Sequence, residues 1–328
     1  MMKICKAGIG VLARSVAVYV FGISAAFAAY PSGPITLIVP FGAGGITDLV
    51  ARATAKVLSD QLKQPIIVDN RPGAGGNIAA GRLKNAKPDG YTLMFTTLGV
   101  VAVNPHITAD ITFDSLKDFT YISSVASTPH VIAVNPDIKA NSLKELIALA
   151  NDKPESISFG SAGIGSSPFQ GMIIMQEHTG SRFLHVPFKS GAESVTSVVG
   201  KQVDITMEAT PVVMPFVKSG KLRAIALANA TRINSAPDLP STAELGYPDI
   251  LSGSISGLIG PAGLPKPIAD KLNEATRQAL KDPDYVQLLS DQGTTTASST
   301  SEEFRSAVVA EYDKWKKIMA KPLASTKQ

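Results

Sequence analysis

The stretch Ile35-Thr-Leu-Ile-Val-Pro-Phe-Gly-Ala-Gly-Gly-Ile-Thr-Asp48 runs from a short apolar segment through a glycine-rich turn into a helical pattern. Residues 35–40 read as a buried strand. Over 47–64, Val50, Ala53, Val57 and Leu62 fall on one helical face, the signature of an amphipathic helix. The same alternation continues with a strand at 65–68, a helix at 77–86 and a strand at 91–97. A βαβαβ order of this kind predicts a parallel sheet covered by helices.

The pattern resumes with a strand at 131–134 and a helix after Ser142, where Ser142-x-x-Glu145 has the spacing of a capping box. Strands follow at 156–159, 183–186, 203–207 and 222–227. The C-terminal part is helical, over 267–280 and 300–319. In the last helix Thr300-x-x-Glu303 is the cap, and Phe304, Val308, Tyr312 and Trp315 form the stripe expected to be buried. A second sheet-like series followed by a helical return after Pro261 predicts two lobes, since chains of this length usually divide. One lobe is expected to hold 29–127 with 257–328 and the other 128–256, with crossings near 126–130 and 254–260.

The beginning of the chain has a different character. Lys3, Lys6 and Arg14 precede an apolar run at 15–23, and Ala26-Phe-Ala28 is a small-x-small cleavage pattern. Basic, apolar and small residues in that order form a secretory signal peptide, expected at 1–28 with cleavage after Ala28. The run is shorter than the roughly 20 residues a spanning helix needs. Removing 1–28 takes away three bases and no acid, so the formal charge falls from +4 to +1. The basic balance therefore gives no argument for nucleic acid, and no basic stripe with interleaved aromatics supports one. The single cysteine, Cys5, leaves with the leader, so the mature chain is expected to have no disulfide, thiol nucleophile or thiolate metal site.

Candidate chemistry lies where strands end. The turn at 40–48 brings backbone close to a ligand and opens onto a helix whose first N–H groups are unpaired and carry partial positive charge. Such a turn holds a carboxylate or phosphate without a cation. Arg71-Pro-Gly-Ala-Gly-Gly-Asn77 and Gly160-Ser-Ala-Gly-Ile-Gly-Ser-Ser167 have similar composition. Any one of them alone is as well explained as a tight turn; three, in two halves of the chain, point to an anion site between lobes. Rival motifs fail. No turn has the Gly-Lys-Ser/Thr of a P-loop, and Thr47 stands where a dinucleotide fingerprint needs its last glycine. Gly165-Ser-Ser-Pro is not a nucleophile elbow. The histidines at 106, 130, 178 and 185 include no i, i+4 pair. No enzyme chemistry, metal or cofactor is expected.

The chain also resembles the receptors of tripartite tricarboxylate transporters, the Bug or TctC-like periplasmic solute-binding proteins. The resemblance runs from about Tyr30 to the C-terminus. It is carried by Ile38-Val-Pro-Phe-Gly-Ala-Gly-Gly-Ile-Thr-Asp48, Val68-Asp-Asn-Arg-Pro-Gly-Ala-Gly-Gly-Asn77, Pro88-Asp-Gly-Tyr-Thr-Leu93, Phe113-Asp-Ser-Leu-Lys-Asp-Phe119, Gly160-Ser-Ala-Gly-Ile-Gly165, Val186-Pro-Phe-Lys189 and Pro261-Ala-Gly-Leu-Pro265. It implies the α/β type II periplasmic-binding fold: two lobes, two sheets covered by helices and a ligand cleft between them. It also implies a small organic acid as ligand, the membrane permease subunits of the transporter as partners, a periplasmic location and a monomer. Two positions depart from the family's usual residues: Phe169 stands for a histidine and Glu208 for an aspartate.

Carried onto this sequence, the resemblance implies that Gly44, Gly45, Thr47 and Asp48 cradle one end of the ligand through N–H groups, a hydroxyl and bound water. Asn77 and Thr97 extend that wall, while Ser161, Gly165, Ser166 and Ser167 close from the other lobe. Phe41 and Phe169 are apolar walls. Glu208 is either an acceptor for an amine or hydroxyl of the ligand or an ordinary surface carboxylate. Lys189 is either solvated or paired with Glu208 or a ligand carboxylate. Thr47, at a helix start, is also a candidate cap. The same site would serve a sensory binding protein that presents its liganded form to a membrane signalling partner, and the kind of carboxylate stays open.

Overall fold

The computed structural model describes residues 30–108 and 111–320. The expected leader and its cleavage point lie outside the described residues. The first half is the predicted βαβαβ unit: β1 (Ile35–Val39), α1 (Ile46–Leu62), β2 (Ile66–Asn70), α2 (Asn77–Lys84) and β3 (Thr92–Thr97). β1 pairs in parallel with both β2 and β3. It is almost wholly buried because helices cover both faces. α1 buries Val50, Ala51, Thr54, Ala55, Leu58 and Leu62 along one stripe and stops at Lys63, whose φ of 54° leaves the helical region. After β3 the backbone makes a wide π turn at Gly99–Val103 and a short helix, α3 (Asn104–Ile107).

β4 (Phe119–Val134) is 16 residues long, far beyond the strand expected at 131–134. The second series follows it: α4 (Leu143–Asp152), β5 (Ser158–Ser161), α5 (Ser167–Thr179), β6 (Leu184–Pro187), α6 (Gly191–Val199), β7 (Ile205–Ala209), α7 (Thr210–Lys218) and β8 (Arg223–Leu227). The return comprises β9 (Gly253–Pro261), α8 (Lys266–Ala279), α9 (Pro283–Asp291), β10 (Thr295–Thr296) and α10 (Ser301–Met319).

The strands form a curled sheet in the order β2-β1-β3-β9-β4-β7-β5-β6, with β8 and β10 also on β4. β4 is the join. Its first part pairs antiparallel with β9, from Phe119 opposite Pro261 to Pro129 opposite Gly253. From His130 to Val134 it pairs with β7 instead. Pro129, which has no N–H to give to a ladder, stands where the partner changes. β5 pairs in parallel with β6 and β7. This is a two-lobed mixed α/β body, with β4 and β9 running between the halves.

One apolar cluster runs through both halves, joining Val39, Val50 and Leu58 to Val195, Val198 and Val213, and two further clusters each lie on one half. On the first half-sheet, Val39, Val50, Leu58 and Leu272 pack on one face, and Ile38, Met94, Val100, Phe304 and Val308 on the other. Ile132, Leu146, Phe159, Met172 and Met207 fill one side of the second. α8 packs on α1, and α10 on the π turn. The Thr300 capping box forms with both of its hydrogen bonds, and Phe304, Val308 and Trp315 are buried; Tyr312 is half-buried. No helix among the described residues is long and apolar enough to cross a membrane.

Candidate functional site

Strands β1, β5 and β6 each end in a turn that opens a helix, and the three helix starts face one another. Phe41, Gly45, Ile46 and Thr47 from the α1 turn meet Ala162, Ser166, Ser167 and Pro168 from the α5 turn, with Gly191 at the start of α6 and Glu208 at the end of β7. Between them is a cavity of about 20 Å³, room for little more than one water molecule. Of the residues expected at the site, Phe41, Gly45, Thr47, Ser166, Ser167 and Glu208 come together here. Among the described residues no Lys or Arg lines this cavity.

The α1 turn is held rigidly. Asp48 is 2% exposed. Its Oδ2 accepts from the Gly44 N–H at 3.0 Å, and its Oδ1 from Arg52 Nε and Asn70 Nδ2, each at 2.9 Å. Burial alone would raise the Asp48 pKa; the bonds from Arg52, Gly44 and Asn70 outweigh burial and hold it below the ordinary value. Asn70 also donates to the Phe41 carbonyl at 3.0 Å. Gly44 and Asp48 therefore shape the turn, and the Asp48 carboxylate is engaged within it. The N-cap of α1 is Gly45, and no side chain caps this helix. Thr47 is thus not the cap it was expected to be: the helix begins one residue earlier, which puts Thr47 inside its first turn. A helix start without a cap leaves its first N–H groups without intrahelical partners, and Gly45, Ile46 and Thr47 line the cavity.

On the opposite wall, Ser166 caps α5, accepting from Phe169 N–H at 3.5 Å and donating to Gly163 O at 2.7 Å. Ser190 caps α6, accepting from Glu193 N–H at 3.2 Å. Ser161 is paired with His185, Oγ to Nε2 2.7 Å, and burial lowers the His185 pKa to about 4, so the imidazole is neutral. Phe169 does not line the cavity; it packs beside Phe159 and His185 at centroid distances of 6.5 and 4.8 Å. The walls touch directly: Gly42 N–H donates to Lys189 O at 3.1 Å. The Lys189 side chain is exposed and forms no ion pair with Glu208, as the solvated alternative required.

Two larger cavities flank the small one. On one side, Phe41, Gly73, Ile164 and Lys189 border about 790 Å³. Toward β4 and β9, Thr97 and Ser167 border about 350 Å³ with Gln170, Ser127 and Ser252. Asn77 and Gly165 lie along the same seam, brought together by Asn104. Asn104 Nδ2 donates to Gly75 O at 3.0 Å and to Asn77 Oδ1 at 2.8 Å, and a Cβ on Gly165 would stand 1.6 Å from Asn104 Oδ1. Buried atoms without a hydrogen-bond partner among the described residues gather along this seam: Asn77 Nδ2, Thr97 Oγ1, Asn104 Oδ1 and Glu208 Oε2. Unpaired buried polar atoms are rare and costly, and together they form a row of groups suited to a polar ligand.

Asn104, Asn70 and Gly191 were not anticipated. Ser190-x-x-Glu193 after a strand carried the signal for α6. Asn104 follows a π turn, which has no sequence period to read. Among the described residues no cluster of His, Cys, Asp or Glu can hold a metal ion.

A two-lobed α/β body with polar helix starts facing each other across a cleft is the type II periplasmic-binding fold. Within it, the chain belongs to the family whose model, described as tripartite tricarboxylate transporter family receptor, matches residues 50–322. Three solved structures of this kind are similar to it. The periplasmic binding protein BugD is 30% identical with a TM-score of 0.85, covering 89% of this chain and 98% of its own. MatC from Rhodopseudomonas palustris, with bound malate, is 28% identical with a TM-score of 0.84, covering 88% and 100%. A second R. palustris protein, with adipate, is 29% identical with a TM-score of 0.85, covering 89% and 97%.

Proposed function

We propose that this chain is exported to the periplasm and acts there as a monomeric solute-binding receptor. It captures a small carboxylated organic solute between its lobes, does no chemistry on it and hands it to the membrane permease of a tripartite tricarboxylate-type transporter. The division into 29–127 with 257–328 and 128–256 gives the two closing bodies. The observation that carries the reading is the meeting of the α1, α5 and α6 starts on one buried cavity whose lining, among the described residues, has no cation. Neutral N–H donors and helix dipoles suit a carboxylate, and the malate and adipate of the two R. palustris structures are of that class.

In this reading the N–H groups at Gly45 and Thr47 take one ligand carboxylate, with the Thr47, Ser166 and Ser167 hydroxyls beside it. Phe41 is the apolar wall. Asn77, Thr97 and Gly165 extend the site along the seam. Gly44, Asp48, Ser161 and Phe169 act behind it by holding the turns in shape. The test is a thermal-shift and titration panel of malate, adipate and related acids with the mature chain. A ligand at 100 times its Kd raises stability by about 2.7 kcal/mol. Affinity should change only a few-fold between low and high salt, because screening acts mainly on exposed charges. A many-fold salt dependence would reveal a cationic pocket and overturn the assignment.

A further inference from the structure

Among the described residues Glu208 is the one carboxyl group in the lining of the small cavity, and it is 1% exposed. Its Oε1 accepts from the Ala209 N–H at 2.9 Å. Its Oε2 has no partner among the described residues. A Cβ on Gly191 would lie 2.4 Å from Oε2, so that oxygen rests against the first turn of α6.

The charged and titratable groups on the surrounding elements are engaged elsewhere or lie far along them. At the start of α6, Glu193 accepts from the Lys189 backbone N–H at 2.9 Å. On α1, Asp48 is tied to Arg52 at 2.9 Å. On β4, His130 Nδ1 pairs with Ser252 Oγ at 2.8 Å. Beside β5, His185 on β6 pairs with Ser161. α5 and α7 have no acid in their first turns, and their bases His178 and Lys218 are in their last turns. Among the described residues Glu208 thus has no counter-ion, and the positive potential near it comes from the helix starts.

On the reading given above, a ligand carboxylate enters this same space. Two carboxylates confined together without a cation cannot both be ionised; they share one proton. The ligand carboxylate faces the N–H groups of the helix starts, which stabilise its charge. Glu208 is the group that burial already favours in its neutral form: desolvation, opposed by the Ala209 N–H, pushes its pKa up to about 7. We propose that Glu208 works as a neutral acid whose Oε2–H donates a hydrogen bond to the carboxylate of the bound solute, making the site selective for acids that place no amino group there. This reverses the acceptor role that the resemblance implied as one alternative for Glu208, and its burial removes the other, a surface carboxylate. A neutral carboxyl offers an ammonium group no anion, and the helix starts repel one. Where Glu208 is ionised in the free protein, capture takes up one proton with the ligand.

The test is isothermal titration of the mature protein with malate, adipate and aspartate from about pH 6 to 9, in paired buffers of different protonation heat. The expected result is that malate or adipate binds better than aspartate. Above the Glu208 titration, binding takes up close to one proton and affinity falls about tenfold per pH unit. Glu208→Gln, which retains an N–H donor, should bind with a flat profile. Binding of an acid without proton uptake at high pH, affinity that rises with pH, or an aspartate preference lost in the Gln variant would each overturn the proposal. The proton count is made on the unaltered protein, so the test stands if the variant does not fold. Failure of every acid at every pH would be a different result, refuting the receptor reading itself.

Discussion

Gly75→Ala should separate lobe closure from fold stability. Gly75 has φ +62°, and a Cβ there would stand 2.0 Å from the Ile164 carbonyl oxygen on the opposite wall. Ordinary contact begins at 3.4 Å, so the two turns must part by about 1.4 Å, the difference of those distances. The obstacle is backbone and cannot swing aside. The strain of an alanine in the left-handed region is about 1 kcal/mol, or roughly 2–4 °C in Tm for a chain of this size. The clash adds little to that in the open form, because it acts between walls and not within one. In the closed form it breaks the Gly42 N–H to Lys189 O bond and draws one wall off the ligand. At about 1 kcal/mol for that bond and about 1 kcal/mol for one ligand hydrogen bond lost with the wall, the closed complex weakens by about 2 kcal/mol, roughly thirtyfold in Kd. Gly220→Ala is the control: its φ is +72° and nothing lies within 4 Å of a Cβ there. Titration and melting of both variants form the assay. The expected result is similar small losses of Tm, with the loss of affinity confined to Gly75→Ala. Parental affinity in Gly75→Ala, or equal losses in both, would refute the account of closure.

Thr47→Val should leave stability within about 0.5 kcal/mol of the parent, because no side chain caps α1, and should lower carboxylate affinity several-fold; a melting curve beside a titration checks both. His130 should contribute to acid unfolding. It is fully buried and its pKa falls from 6.5 to about 3 through desolvation. A lowered folded-state pKa gives stability that is present above 6.5 and lost as pH falls toward the folded value, roughly 2 kcal/mol by pH 5. His185, lowered to about 4, acts in the same direction. Glu208, raised to about 7, acts oppositely: its contribution is present below its unfolded pKa and lost as pH rises through 7. Melting from pH 7 to 4 should therefore show a net loss that His130→Gln reduces, and an unchanged slope in that variant would contradict the assignment.

The first half of the fold was legible because parallel strands buried on both faces are continuous apolar runs, and glycine turns mark where they hand over to helices. β4 was read only over its last four residues. Upstream, Ser123, Ser124, Thr128 and Pro129 break the apolar pattern, yet Ser123 and Thr128 are buried and Ser124 and Pro129 half-buried. Their hydroxyls are satisfied from far along the chain, Ser123 Oγ by Ser299 O at 3.0 Å and Thr128 by Thr294 at 2.9 Å. Polar residues that find such distant partners look like a loop in sequence. The candidate site divides the same way. Phe41, Gly45, Thr47, Ser166, Ser167 and Glu208 were grouped through the family resemblance, and because they end strands or start helices the fold gathers them on one cavity. Asp48 was expected to face the ligand, but its partner Asn70, 22 residues away, is fixed by the pairing of β1 with β2. Phe169 was expected in the cleft because it follows the α5 turn; packing beside Phe159 and His185 takes it away from the small cavity.

The most direct test of the account is a crystal structure of the mature chain with the tightest-binding acid from the panel. The account predicts one ligand carboxylate between the α1 and α5 starts, within hydrogen-bond distance of the Gly45 and Thr47 backbone N–H groups. It predicts the Glu208 carboxyl close enough to share a proton with the ligand, and no Lys or Arg contact at that end. A ligand held by Lys or Arg side chains, or seated in a cavity away from these helix starts, would contradict it.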